Sequence, residues 1–440
     1  MIVSSSPSKY NRKWAILGIL FFLFRPVFAA DVQTSSILDD STIRVSIQDT
    51  WLTEKPSVVM QNRPFFRNLP GGGPVQIRAE ARNNEFSVIL ARERNGLYPG
   101  WAQGSWIYTR NLNTGTPLRI RMFMRSDPQM YIQWRPLGND KSQIDLVLYE
   151  AYIVRGLPIG IPFERLLTMP VEDILVVAGN RFPRRYFDPD PRLYRNINSF
   201  VAKIRSALPS IAYEDDGAID ETGSYVLIKT LQKQGEPIGL NCSGFAKWVV
   251  DGMLRPVTRK RLSVSSLKEP VTPRTSSLAA NFEERDSLFG LDWTRNLALE
   301  AAKVLRSASF ATIENVEVRQ ETFASLIDRT GGRAAIKSYP GFLLNAGFSI
   351  EGLRPLLYTL AINEPGYVYL ASVNRERGRE PPQRQHYHVA VLVPYFNEYG
   401  NFQILVFESA EETTFAGFLR RHPEGMVNLV RIPVEGVFEP

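Results

Sequence analysis

Leu240-Asn241-Cys242-Ser243-Gly244-Phe245-Ala246-Lys247-Trp248-Val249-Val250-Asp251-Gly252-Met253 holds the only cysteine of a 440-residue chain. Ahead of it, Gly235-Glu236-Pro237-Ile238-Gly239 reads as a loop. Within it, Phe245, Trp248, Val249 and Met253 recur at helical spacing and form one apolar face. The pattern predicts a helix with Cys242 in its first turn, where unpaired N–H groups and the macrodipole favour an anion. A thiol placed there has a lowered pKa and a larger thiolate fraction. Ser243 and Gly244 are small, which leaves room for a carbonyl beside the sulfur and for a backbone N–H to hold an oxyanion. A lone cysteine is more often a small buried hydrophobe. Here the Gly-flanked helix start and the compartment favour a nucleophile.

The compartment is read from the N-terminus. Lys9, Arg12 and Lys13 precede an apolar run from Trp14 to Phe24, too short to span a bilayer. Val27-Phe28-Ala29 supplies the small residues of a signal-peptidase site, so residues 1–29 are expected to be a signal peptide cleaved after Ala29. The mature protein is then periplasmic or secreted, with no stable membrane span. The formal charge of +7 includes Lys9, Arg12, Lys13 and Arg25, with no acidic residue among the first 29, so the remainder carries +3. That excess is too small to support a nucleic-acid partner. An unpaired thiol kept in an oxidising compartment is a candidate nucleophile.

The rest of the chain is too long for one ordinary core and implies two domains. In residues 30–180, Val75, Ile77, Ala79 and Ala81 alternate with polar residues, as do Leu118, Ile120, Met122 and Met124 with Arg119, Arg121 and Arg125. Ile144 to Val154 reads as one long bent strand. Gly71-Gly72-Gly73-Pro74, Asn83-Asn84 and Asn113-Thr114-Gly115-Thr116 punctuate the strands. The expectation is an antiparallel β domain, a sandwich or an open barrel. Its arginine face could touch an anionic polymer, and Trp101, Trp106 and Trp134 could stack on sugars. A solvated sheet face and ordinary packing are the plainer readings.

Residues 181–195, rich in Pro and aromatics, read as a linker held down by those aromatics. In residues 196–440 helices are predicted over Asn198 to Leu208, Ser224 to Gln234, the Cys242 stretch, Asp292 to Arg306 with Asp292 as N-cap, and Ser349 to Leu360. Strands follow over Tyr367 to Ser372, His388 to Tyr395 and Phe402 to Phe407. Helices first and an antiparallel sheet after make an α+β pattern. The three histidines are His386, His388 and His422. His386 and His388 share a strand parity, so parity alone does not choose between them as a base for Cys242. A hairpin would return Glu408 or Ser409 beside His388, where an acceptor fixes the imidazole tautomer.

Taken together these segments resemble a family. Asn241-Cys242-Ser243-Gly244-Phe245 resembles the Asp-Cys-Ser-Gly-Phe nucleophile motif of NlpC-type cell-wall cysteine peptidases. Pro365-Gly366-Tyr367-Val368-Tyr369-Leu370 looks like their Pro-Gly-Asp-Leu-Val-Phe strand, and His388-Val389-Ala390-Val391 is similar to their His-Val-Gly-Ile segment. The segments occur in the family's order. The resemblance implies a papain-like α+β core, His388 as the base, and Val406-Phe407-Glu408-Ser409-Ala410 as the source of the orienting residue. It further implies an exported enzyme that cleaves peptide bonds in peptidoglycan stems. Asn241 stands where the family has Asp, and the family's Tyr-x-Trp-Gly-Gly tract is not seen. Residues 255–364 read as a long insertion between Cys242 and His388.

The chemistry expected is nucleophilic acyl transfer by Cys242, His388 and Glu408, without a cofactor. Three histidines and one cysteine do not suggest a zinc site of ordinary ligation. The expected partner is peptidoglycan or another envelope polymer. Two rivals remain: another Cys–His acyl-transfer enzyme, such as an amidase or transpeptidase, and a non-catalytic envelope scaffold on a degenerate peptidase fold.

Overall fold

The alternation that marks the first half builds one antiparallel sheet. In the computed structural model, which describes residues 37–69, 73–138, 140–149, 151–273, 286–319, 342–378 and 383–440, eight strands follow one another in sequence order. They are β1 (Phe65–Leu69), β2 (Gly73–Arg82), β3 (Glu85–Arg92), β4 (Trp106–Asn111), β5 (Pro117–Phe123), β6 (Met130–Pro136), β7 (Ser142–Leu148) and β8 (Ala151–Ile159). Asn83 and Asn84 both take positive φ (50° and 61°), the two-residue turn that matches strand twist, and so join β2 to β3. Val75, Ile77, Ile120, Met122, Trp106 and Trp134 are buried in one hydrophobic core.

A single sheet replaces the sandwich alternative, and no ladder joins β1 to β8 among the described residues. The stretch read as one bent strand is the β7–β8 hairpin, which reverses at Tyr149 with φ of 50°. Trp106 and Trp134 are core residues rather than sugar platforms; Trp101 is half-buried with the Arg94 guanidinium 4.8 Å over its ring. Of the basic strand face, Arg119 is tied to Glu85 (Nη1 to Oε1, 2.8 Å), and Arg121 donates to Gln133 (2.9 Å) while lying over Tyr131. The signal-peptide residues 1–29 lie outside the described residues. Among the described residues no helix is long and apolar enough to cross a membrane.

The aromatics of residues 181–195 pin that stretch down. Tyr194 donates to the Ala361 carbonyl (2.9 Å), and Asn363 donates to the Tyr186 hydroxyl (2.7 Å). Past it lies a mixed region. A two-stranded ladder of β9 (Gly217–Ile219) and β10 (Tyr225–Leu227) comes first. A six-stranded sheet then runs β11 (Phe348–Ser349), β16 (Met426–Pro433), β12 (Tyr367–Arg377), β13 (Gln383–Phe396), β14 (Phe402–Glu408) and β15 (Glu411–Thr414). Every ladder in it is antiparallel. An antiparallel sheet in the first half and helices with a second sheet in the later part make an α+β protein. Both sheets belong to one compact unit, Ile37–Pro440.

Three expectations are corrected here. Ser224 to Gln234 is not helical: it forms β10 and a turn, because the Gln234 side chain bonds the carbonyls of Val226 and Gly239 (2.9 and 3.1 Å) and folds the segment back. Asp292 is not an N-cap. The helix begins at Phe289, and buried Asp292 accepts instead from Thr272 N–H (2.9 Å). Residues 255–364 are not merely inserted, since they supply the helix Phe289–Leu305, whose Trp293, Leu297, Ala298 and Ala301 are fully buried. That helix packs on the Cys242 helix and on β12, β13 and β16. Residues 274–285 and 320–341 of the segment lie outside the described residues.

Candidate active site

The Cys242 helix runs Cys242–Thr258. Asn241 is its N-cap: the side-chain oxygen accepts the Gly244 N–H (2.8 Å) while the Asn241 carbonyl accepts Phe245 N–H (2.8 Å). Either Asn or Asp performs this role at a helix start. A Cβ on Gly244 would sit 1.9 Å from the Gly217 carbonyl oxygen, so glycine lets the helix start abut β9. Trp293 donates its indole N–H to the Ser243 carbonyl (2.9 Å), and Phe245 stacks on Trp248 (5.5 Å, 22°). These contacts fix the first turn. Its geometry leaves the Cys242 and Ser243 N–H groups without intrahelical acceptors.

Cys242 is half-buried on the wall of a cleft of about 570 Å³. Asn241 and Ser243 flank it, Phe289 and Gly290 come from the neighbouring helix, and His388 and Val389 come from β13. Burial is the strongest influence on the thiol and raises its pKa. The His388 side chain, the Val389 backbone N–H and the Ser243 hydroxyl together outweigh burial, and the thiol lies below its ordinary value.

His388 Nε2 lies 2.6 Å from Glu408 Oε2. With Nε2 committed, Nδ1 is the nitrogen left for the thiol. Glu408 ends β14 and is only 6% exposed. Its other oxygen accepts from the Thr413 hydroxyl (2.7 Å) and pairs with Arg421. The turn after it places Ser409 and Ala410 at positive φ (51° and 66°), a costly conformation for residues other than glycine. That turn sets Glu411 opposite Glu408 and brings Thr413 back to the carboxylate. Of the two orienting residues expected, Glu408 meets His388, whereas Ser409 occupies the turn.

His386 and His388 do not share a strand face, for a local reason. β12 pairs Val373 with His388 but Asn374 with His386, so Tyr387 is bulged out and the alternation breaks. His386 instead sits against Ser372 (Nδ1 to Oγ, 2.7 Å), and burial lowers its pKa to about 3. His422 is the residue the sequence did not single out. It caps the short helix Phe415–Arg421, and its ring stacks on His388 at 5.1 Å and 25°. No motif marks it. The signal available was only its being one of three histidines.

His388, Glu408 and His422 also present donor atoms within 4.8 Å of one another, a spacing that suits a metal ion. Arg421 and Thr413 already occupy Glu408, and Glu408 already occupies His388. An ion would have to break the bond between the imidazole and a carboxylate whose charge Arg421 already balances. The donor set fits a proton-transfer pair better than a metal centre.

A family model described as a domain of unknown function (DUF8515) matches residues 33–186. The matched part contains the eight-stranded sheet and ends ahead of the Cys242 helix. No curated protein and no solved structure matches the chain.

Proposed function

We propose that the protein is an exported cysteine hydrolase of NlpC-like, papain-like type that cleaves amide bonds in peptidoglycan stem peptides. One observation carries the reading. A thiol on the first turn of a helix opens on a cleft beside an imidazole whose far nitrogen is held by a buried carboxylate. His388 Nδ1 takes the Cys242 proton, and the thiolate attacks the substrate carbonyl carbon. The oxyanion is held by the N–H groups of the helix start. The imidazolium then gives its proton to the leaving amine as the C–N bond breaks. Water, deprotonated by His388, cleaves the thioester and restores the thiol. Glu408 keeps a proton on His388 Nε2 throughout and stabilises the imidazolium when it forms.

The test is incubation of purified stem peptides with the wild-type protein and with Cys242→Ser, products being read by mass. Hydrolysis by the wild type and none by the variant supports the reading. A reactive thiol without hydrolysis points to another acyl substrate. An unreactive thiol points to a scaffold. Export is tested separately by N-terminal sequencing of protein from the envelope fraction, which should begin at Ala30. A retained Met1 would contradict it.

A further inference from the structure

We infer that His422 is a positioning residue for His388: its ring, tethered by Tyr387, holds the imidazole face so that one nitrogen meets Glu408 and the other meets the thiol. The inference rests on reading Cys242 and His388 as a catalytic pair. The bond from Nε2 to Glu408 fixes one point of the His388 ring. A ring anchored at one point still swings about its Cβ–Cγ bond, since terminal ring torsions are broad. The swing carries Nδ1 away from the sulfur. His422 lies on the imidazole face at 5.1 Å, nearly parallel, and removes that freedom.

His422 is itself held. It is 8% exposed, its Nδ1 lies 3.0 Å from the Tyr387 hydroxyl, and Phe418 packs edge-on against it at 4.9 Å. Tyr387 is steadied in turn by the guanidiniums of Arg375 and Arg377, 5.1 and 5.2 Å from its ring. Tyr387 is the bulged residue of β13, so the irregularity that separates His386 from His388 also frees a hydroxyl to reach His422. Burial is the main cause that lowers the His422 pKa, to about 4, with the charges of His388, Arg421 and Arg375 adding to it. The stacked ring therefore stays neutral near pH 7 and sets no second cation against a protonated His388. The groups that face His388 are Cys242 from its helix, Glu408 from β14 and His422 from the end of Phe415–Arg421. Arg421 stands behind the carboxylate.

The test is the pH dependence of Cys242 alkylation by iodoacetamide in the full chain, for the wild type, His422→Ala, His422→Phe and Tyr387→Phe. Circular dichroism confirms that each variant is folded. His422→Ala should raise the midpoint by about one pH unit, which makes the rate about tenfold lower at pH values well below the wild-type midpoint. His422→Phe keeps a ring on the imidazole face and should restore a near-wild-type midpoint. Tyr387→Phe keeps every ring but loses the tether, and its midpoint should shift in the same direction by less. A merely structural role would leave the midpoint unmoved in any folded variant. If His422→Ala is folded and titrates as the wild type does, the inference is overturned while the catalytic pair stands. The same holds if His422→Phe is as impaired as His422→Ala. Should His422→Ala not fold, an unshifted Tyr387→Phe overturns it. If the wild type itself titrates near the ordinary thiol value of about 8.5, the catalytic pair fails and this inference fails with it.

Discussion

His388 Nε2 and Glu408 Oε2 are 2.6 Å apart, and the other Glu408 oxygen is already taken by Thr413 and Arg421. In Glu408→Gln those two donors would claim the amide oxygen and turn the NH₂ group towards His388. The imidazole would then have to accept at Nε2 and carry its proton on Nδ1, facing the thiol. It could no longer take the thiol proton. Turnover should fall on the order of 10²-fold or more, as expected when an orienting carboxylate yields the wrong tautomer, and alkylation at mildly acidic pH should slow with it. Unchanged turnover would remove Glu408 from the mechanism.

Gly244 tests the link between packing and the nucleophile. Its missing side chain lets the helix start lie against the Gly217 carbonyl, and an added methyl would overlap backbone at 1.9 Å. Gly244→Ala should destabilise the protein by ~1–3 kcal/mol or more, read as a lower urea midpoint. It should also raise the thiol pKa, because Cys242 is two residues away and moves with the turn. An unshifted midpoint would mean that the helix start is not clamped by β9.

What was legible in the chain follows from which forces are local. Alternation at Val75–Ile77 and Ile120–Met122 predicts strands because burial on a pleated sheet has a period of two. The apolar face of Phe245, Trp248 and Met253 predicts the Cys242 helix for the corresponding reason. The meeting of His388 with Glu408 follows from a hairpin between neighbouring strands, which is also short-range. The sequence failed where long-range packing decides. The helix Phe289–Leu305 looks like part of an insertion because its partners, the Cys242 helix and β16, lie far away along the chain. Ser224 to Gln234 departs for a short-range reason instead: its residues are helix-compatible, yet the Gln234 side chain bonds the nearby carbonyls of Val226 and Gly239 and folds the segment back. The Tyr387 bulge and the His422 stack leave no periodic signature.

His386 carries a pH prediction. In the folded chain it takes no proton until about pH 3, whereas an exposed histidine takes one near 6.5. Its folded pKa is depressed, so its contribution to stability is intact above pH 6.5 and is lost as the pH falls towards 3. The loss is at most ~1.4 kcal/mol per pH unit. Urea midpoints between pH 7 and 5 should fall faster for the wild type than for His386→Gln, which does not titrate. Asp40, raised to about 6 chiefly by burial, titrates in both proteins and cancels in the difference. Parallel curves would contradict the burial of a neutral His386.

The central claim is that Cys242 is an activated nucleophile paired with His388. The pH dependence of its alkylation, measured on the folded chain, the denatured chain and His388→Ala, tests this most directly. The helix N-terminus and the imidazole both favour the thiolate. The folded protein should therefore be alkylated at pH 6 much faster than the denatured chain, and His388→Ala should lose most of that advantage. A folded protein that resists iodoacetamide until it is denatured, with His388→Ala indistinguishable from the wild type, would make Cys242 a buried structural thiol and contradict the account.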